Sequence, residues 1–440
     1  MIVLGLGSNI GDKLTNLRNA FEQLKQTPEI KIQKVSPIYI SDALLPENAD
    51  DSWDVPYLNF CISCTTDLKP LELLSKTKEI EKKLGRDKKL SWSPRIIDID
   101  ILAWDNLVKY DDNLHIPHEH LLDRPFALWP LRDVAPNWIF PIKGEFLGKQ
   151  AIELAKKWAK TATPLNTRVI PHRIDIPRPM GILNVTKDSF SDGGKYFDKE
   201  DALNKAIKLA NLGAEIIDIG AESTGPKAKE ISVDVELQRL QPILELLEQN
   251  KDKFLIKPKI SIDTRNYIVA DKALDMGVDL INDVTGLDCK KMRDLLKNKT
   301  CDIVFMHNLG APVSKSKLIP LDVDPVNYVY SWAKQKILGL DIDPSRLIFD
   351  IGVGFGKTAE QSLTLINNID KFKELGIKLL VGHSRKSFLT PFTAKPFHER
   401  DIETIVISTK LLEKQIDYLR IHNVEDHLRA FKIHSALVTD

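Results

Sequence analysis

The chain has 440 residues, long enough at roughly 100–200 residues per domain for two to four domains. Hydrophobic residues make up 43% and charged residues 28%, the balance of an ordinary globular protein, while Lys plus Arg and Asp plus Glu are equal at 62 each. A nucleic-acid binder usually carries a basic surplus, so the zero net charge argues against that class. No apolar run approaches the ~18 residues that suggest a membrane span. Four cysteines in so long a chain make no disulfide framework, and the default compartment is the reducing cytoplasm.

The N-terminal MIVLGLGSNIGDK lacks a basic leader and a small-residue cleavage site, so it reads as a first strand. Over the first 150 residues, strand-like runs (IVLGLG, KIQKVSPIYI, YLNFCISCTTDL, IIDIDILAW) interleave with helix-like ones (DKLTNLRNAFEQLK, PLELLSKTKEIEKKLG). This pattern predicts an α+β sandwich of the ferredoxin-like kind. Cys61 and Cys64 fall three apart in a strand and so point to opposite faces, which makes them ordinary strand residues rather than a redox or metal pair.

Asp98 and Asp100 lie two apart in an otherwise apolar strand, sharing one face about 7 Å apart. Two such carboxylates repel unless a cation sits with them, and Mg²⁺ shared with phosphate oxygens fits; a solvated edge strand would fit equally well. Arg86, Lys88, Lys89 and Arg95 surround the pair in sequence and suit phosphate, although a solvated loop is the plainer account of that run.

The stretch KQAIELAKKWAK reads as a last helix, and prolines at 164, 171, 177 and 179 then break any helix. The expected division is therefore 1–160 for the first domain, 161–177 for a Pro-rich linker and 178–440 for the second. Beyond it, eight short apolar runs (MGILNV, EIIDIG, KISIDT, DLINDV, DIVFMH, LIFDIG, KLLVGH, YLRIHN) alternate with helix-like stretches, which predicts an α/β architecture closed as a (β/α)8 TIM barrel. Every run ends on or beside polar residues: Asn184, Glu222, Asp263, Asn282, His307, Asp350, His383, and Arg420 with His422. In such barrels the strand C-termini form the active-site face. GVGFGKT is a decoy, because a P-loop would need glycine where Ile351 stands.

Taken together, GLGSN, Tyr57-Leu-Asn59, W-x-PR-x-x-D-x-D over 92–100, PH at 117–118 and R-x-F-x-L-W-P-L over 124–131 resemble 6-hydroxymethyl-7,8-dihydropterin pyrophosphokinases across about residues 1–158. The resemblance implies transfer of pyrophosphate from ATP to the pterin. It implies that Asp98 and Asp100 bind two Mg²⁺ ions, that Tyr57 and Phe126 sandwich the pterin, and that Asn59 bonds its edge. It also gives Arg86, Arg95 and Arg124 phosphate, places Trp92 in the same loop, and puts Glu81 and His118 at the nucleotide. Two departures stand out: the loop before Trp92 is one residue shorter than usual, and Glu119 occupies a position where an aromatic residue is common.

The second half is similar to dihydropteroate synthases over about 178–438, on MGILNVTKDSFSDGG, IGAES, SIDT, DIGVGFGKT, GHSRKS and RIHN in that order. That resemblance implies condensation with p-aminobenzoate. Asp263, Asn282, Asp350 and Lys386 would hold the pterin; Asn184, Thr224, Arg420 and His422 would take pyrophosphate, with one Mg²⁺ at Asn184. Lys187, Phe190, Pro226, Phe355 and Ser387 would form the p-aminobenzoate pocket, and homodimerisation would use the barrel's outer helices. Gly225 stands where the family has arginine, and Lys187 where it has proline; the lysine could restore the missing charge. A pterin-binding methyltransferase is the rival enzyme reading, disfavoured by SRKS, DSFSDGG and the kinase-like half. A catalytically degenerate barrel is the other alternative, resting on Gly225 alone.

Overall fold

Strand β1 (Ile2–Ser8) is apolar on both faces and nearly all buried, so it can only lie inside a sheet. It pairs antiparallel with β4 (Tyr57–Thr66) on one side and β5 (Asp98–Trp104) on the other. The molecule is a computed structural model that describes residues 1–47, 49–86, 93–158, 167–186, 199–222, 230–310 and 317–437. It divides into two compact units, Met1–Asp175 and Ile176–Val438.

In the first unit β2 (Ile30–Val35) and β3 (Ile38–Ser41) share the long β4, giving the order β5-β1-β4-β3 with β2 against the far half of β4. A small hairpin, β6 (Lys109–Asp111) and β7 (Leu114–Ile116), follows β5. The segment expected as linker contributes a strand instead: β8 (Arg168–Ile170) adds to the edge of β3. Its three residues lie between Pro164 and Pro171, free to donate their N–H groups to a ladder.

Helices α1 (Lys13–Lys25) and α2 (Pro70–Lys83) cover one sheet face, where Phe21 meets Phe60 edge-on. Helices α3 (Pro125–Val134) and α4 (Ala151–Ala155) cover the other, packing Leu128 and Leu131 on Val3 and Cys61. Cys61 and Cys64 are buried free thiols.

The second unit closes eight parallel strands into a barrel: β9 (Arg178–Asn184), β10 (Ile216–Gly220), β11 (Lys259–Asp263), β12 (Leu280–Asp283), β13 (Asp302–Met306), β14 (Leu347–Asp350), β15 (Lys378–Val381) and β16 (Tyr418–Ile421). Each coincides with one of the eight apolar runs. Outside them lie α5 (Lys199–Asn211), α6 (Val233–Gln249), α7 (Tyr267–Asp275), α8 (Lys290–Lys297), α9 (Pro325–Gly339), α10 (Ala359–Asn367), α11 (Asp370–Lys373), α12 (Asp401–Glu413) and α13 (Val424–Leu437). Side-chain caps fix several helix starts: Ser232 accepts from Val235 N, Asp324 from Val326 N, and Thr358 forms a capping box with Gln361.

Inside the barrel, Met180, Ile216, Leu280, Val304, Ile348, Leu380 and Tyr418 form an apolar plug. One pleat higher the lining turns polar, with Asp218, Ser261 and Asn282 all buried. The core thus sits low, and the chemistry-bearing side chains sit towards the strand C-termini. Among the described residues, no helix is long and apolar enough to cross a membrane.

Candidate active sites

The first unit holds a cleft of about 1370 Å³ whose floor is the backbone of β1 at Gly5 and Gly7. Those glycines face Asp100 and Asp98 across the ladder, so both aspartates lie on the cleft side of β5. Both glycines let a neighbouring side chain come close. A Cβ on Gly7 would meet Asn59 Oδ1 at 2.8 Å, and one on Gly5 would meet Leu102 Cδ1 at 2.8 Å. Tyr57, Asn59, Glu81, Arg86, Arg95, Asp98, Asp100, His118, Arg124 and Phe126, all expected from sequence, line this one cleft. Trp92, Lys88 and Lys89 lie outside the described residues.

Charge is tightly interleaved here. Asp98 accepts from Arg86 Nη1 at 2.5 Å and from Arg95 Nη1 at 2.6 Å. Burial would raise its pKa, but Lys78, Arg95 and Arg86 together hold it below the ordinary carboxylate value. Asp100 is different: burial and then the Asp98 charge push it up to about 7. Glu81 is nearly inaccessible, accepting from Ile99 N at 2.7 Å and pairing with Lys78 at 2.7 Å and Arg86 at 2.5 Å. It fastens α2 to β5 and aims Arg86. His118 is kept neutral by burial, its pKa lowered to about 4.

Two residues, one lining this cleft and one supporting it, were given no role from sequence. Lys78 faces Asp98 at 3.7 Å and Asp100 at 3.9 Å, although a lysine in a charged helix reads as solvated. Buried Asn9 accepts from Arg95 N at 2.7 Å and donates to Val55 O at 3.3 Å, tying the Arg95 backbone to the end of β1. Its place in GLGSN was the available signal.

In the second unit the strand ends converge on a polar mouth. Arg420 on β16 donates through Nε to Asp218 at 2.6 Å and through Nη2 to Asp263 at 2.9 Å. Asp218 also accepts from Ser261 Oγ and from Asn282 Nδ2 at 3.1 Å. Burial raises the pKa of Asp263 to about 7 against the opposing pull of Arg420. Gly220 stands between Asn184 and Asp263, each 3.6 Å from where its Cβ would lie, so those two side chains can approach. His422 Nδ1 lies 2.9 Å from Ser384 Oγ, and burial, Arg385 and Arg420 lower its pKa to about 3.

Asp350 accepts from Gly352 N at 2.8 Å, and Gly382 leaves room beside its other oxygen. Lys386 donates to Val353 O at 2.8 Å and lies 4.7 Å over the Phe355 ring; burial lowers its pKa to about 8. Ser387 opens on a cavity of about 370 Å³ that Gly354, Lys357 and Phe388 also line. Arg385, in the same SRKS segment, turns away from the mouth to a bidentate pair with Asp401, both contacts 2.7 Å. Its backbone is left-handed (φ 60°), which sends Ser384 and Lys386 to different partners. Lys187, Phe190, Thr224, Gly225 and Pro226 lie outside the described residues. Asp218 and Lys357 were not anticipated.

Among the described residues, no group of three or more His, Cys, Asp or Glu side chains is arranged to hold a metal. Two carboxylates completed by phosphate oxygens remain a fitting set for Mg²⁺.

Residues 3–136 match the family described as 7,8-dihydro-6-hydroxymethylpterin-pyrophosphokinase, and residues 180–422 match the family described as pterin binding enzyme. A folate synthesis bifunctional protein of Chlamydia caviae is 34% identical over 435 residues, 97% of this chain and 96% of that one. The dihydropteroate synthase of Anaplasma phagocytophilum, solved with 6-hydroxymethylpterin-monophosphate bound, aligns at TM-score 0.54 and 34% identity, covering 60% of this chain and all of the other. A Plasmodium falciparum HPPK-DHPS structure with pteroate covers 100% of this chain and 95% of its own at TM-score 0.55; at 23% identity it bears on the fold alone.

Proposed function

Because this chain belongs to the family of folate synthesis bifunctional proteins, we propose that each of its two reactions runs through the cleft described for its unit. The enzyme transfers pyrophosphate from ATP to 6-hydroxymethyl-7,8-dihydropterin, releasing AMP. It then condenses the pterin pyrophosphate with p-aminobenzoate to give 7,8-dihydropteroate and pyrophosphate. We assign the first step to 1–160 and the second to 178–440.

In the kinase cleft, Tyr57 and Phe126 bind the flat pterin between them and Asn59 reads its edge. Arg86, Arg95 and Arg124 take phosphate oxygens, Trp92 belongs with them at the ATP site, and Glu81 and His118 border the nucleotide. Asp98 and Asp100 would hold two Mg²⁺ ions, which supply charge neutralisation across the triphosphate. A neutral His118 adds no positive charge; its Nδ1 accepts from His120 N at 3.3 Å, which leaves Nε2–H to donate to the nucleotide.

At the barrel mouth, Asp350, Asp263 and Asn282 receive the donors of the pterin edge, and Lys386 donates to its opposite polar atoms. Arg420, His422, Asn184 and Thr224 stabilise the departing pyrophosphate, and Asn184 would hold one Mg²⁺, which would supply further charge neutralisation there. The bond from the pterin methylene to pyrophosphate breaks first, the electron-rich pterin delocalising the positive charge left on that carbon; the amine nitrogen of p-aminobenzoate then attacks it and gives up a proton. Phe355, Ser387, Lys187, Phe190 and Pro226 shape the acceptor pocket. A cytoplasmic setting suits the free thiols, and a dimer through the outer barrel helices completes the proposal.

What carries the reading is convergence: ten kinase residues named from sequence border one cleft. The test is one incubation of hydroxymethyl-dihydropterin, MgATP and p-aminobenzoate, followed for AMP and dihydropteroate together. Both products must appear. Asp98→Asn must stop AMP while leaving dihydropteroate formation from supplied pterin pyrophosphate. AMP alone would mean an inactive barrel, and a fully active Asp98→Asn would remove the kinase assignment.

A further inference from the structure

Lys78 on α2 sits beside the Asp98–Asp100 pair, where Arg86 and Arg95 already pair with Asp98. Its Nζ donates to Ile99 O at 3.2 Å, the carbonyl between the two aspartates, and lies 3.7 Å from Asp98 and 3.9 Å from Asp100. Glu81, one helical turn on, grips the same ammonium at 2.7 Å. Glu81 is itself fixed by Ile99 N and Arg86, so the anchor is rigid. The lysine is not: its side chain is 38% exposed, on a flexible four-carbon stem that opens to the cleft.

We propose that Lys78 is a tethered counter-ion: in the nucleotide-free enzyme it adds its charge to those of Arg86 and Arg95 at the Asp98–Asp100 pair and is the cation that faces Asp100, weakening capture of free divalent metal, and it passes to the triphosphate when metal and nucleotide enter together. The inference rests on the reading that Asp98 and Asp100 are the metal-binding pair. A divalent ion entering alone must draw Asp98 away from Arg86 and Arg95 and push the ammonium from both aspartates, leaving Lys78 with Glu81 and the Ile99 carbonyl. An ion arriving on ATP brings phosphate oxygens that receive the displaced charge. The site then favours the metal–nucleotide complex over the bare ion.

The probe is Mn²⁺, which has the charge and oxygen preference of Mg²⁺, titrated into the full chain without nucleotide. Free ion is counted by electron paramagnetic resonance. An Asp98→Asn/Asp100→Asn double variant defines ions bound elsewhere, including in the barrel. With that background removed, Lys78→Gln is expected to bind Mn²⁺ about tenfold more tightly than wild type, and Lys78→Arg to stay near wild type, since Coulomb repulsion at about 4 Å disappears only in the first. Metal-free ATP should bind Lys78→Gln more weakly. Equal Mn²⁺ affinity in wild type and Lys78→Gln, with binding lost in the double variant, overturns the counter-ion role alone. Binding unchanged in the double variant overturns the carboxylate-pair reading and the inference together.

Discussion

Asp218 Oδ2 lies 2.6 Å from Nε of Arg420, with the carboxylate wholly buried inside the barrel. The strands that carry them flank β9, and the second fork of the guanidinium reaches Asp263 on β11. One arginine is thus oriented by two acids, its charge held on by both. Ser261 and Asn282 take two more of the four lone-pair sites of Asp218, and its side chain is wholly buried, so it serves its protein neighbours rather than a ligand. It is a positioning residue for Arg420.

Replacing Asp218 by Asn keeps the shape and removes the charge. Breaking one partner of a buried pair costs about 3 kcal/mol, and the freed guanidinium loses its fixed plane. Dihydropteroate formation is expected to fall about 100-fold, in the range seen when one stabilising donor is lost, with AMP production unchanged. Both products are measured on one sample. A wild-type synthase rate would mean that Asp263 alone orients Arg420.

Much of this was readable in advance, for physical reasons that differ by residue. The eight barrel strands were legible because strands buried on both faces must be continuous apolar runs. Strand-end polarity misled at two of them. His307 and His383 follow the last inward residues, Met306 and Gly382, so alternation turns them outwards. His307 meets Lys357, and His383 meets Ser408 at 2.8 Å. Asp218 was missed because an acid within EIIDIG reads as an interruption; only its two-residue spacing from Gly220 placed it on the lining face. Lys78 was missed because helix periodicity cannot tell a solvated charge from one facing a cleft at the helix flank.

Lys357 is the lysine of the P-loop decoy, and its ammonium is spent inside the protein. It bonds His307 Nδ1 at 2.8 Å, Gly352 O at 2.8 Å, Phe355 O at 2.9 Å and His307 O at 3.2 Å. The loop it gathers is left-handed at Gly352, Gly354 and Gly356, and a Cβ on Gly352 would fall 1.9 Å from His307 O. Lys357→Met leaves those acceptors unpaired, at a cost of about 3 kcal/mol. Because the loop also carries Phe355 and the carbonyl that holds Lys386, KM for p-aminobenzoate should rise about tenfold, with kcat falling less. Steady-state kinetics with supplied pterin pyrophosphate reads the split. An unchanged KM would mean that glycine packing alone holds the loop.

His383 supplies a pH prediction. Burial lowers its folded pKa to about 3, while the unfolded chain titrates near 6.5. The folded value is the lower one, so its contribution to stability is complete above about 6.5 and is lost as pH falls towards 3. Between pH 6.5 and 5 that loss is about 2 kcal/mol. Raised carboxylates such as Asp263 act in the opposite sense, so the comparison must be with His383→Asn rather than with a single curve. The variant starts less stable at pH 7, and denaturant midpoints should show the gap closing on acidification. A gap independent of pH would show that His383 accepts a proton in the folded state.

Gly7 offers the sharpest test of the kinase cleft. Its φ is not in the left-handed region, so alanine strains no backbone, and the whole effect is the added methyl meeting Asn59 Oδ1 at 2.8 Å. Asn59 is buried and tethered to Ser41 Oγ at 3.0 Å, so it must move or turn away from the ligand edge it is proposed to read. Gly7→Ala should raise KM for hydroxymethyl-dihydropterin about tenfold, the effect of one misaligned buried hydrogen bond, with KM for ATP nearly constant. Gly5→Ala is the control. Its methyl meets Leu102 at the same distance, but the atom it meets is the far end of an apolar side chain that can rotate. Pterin KM should therefore respond to Gly7→Ala much more than to Gly5→Ala. Equal responses would mean that the cleft floor as a whole, rather than Asn59, sets pterin affinity.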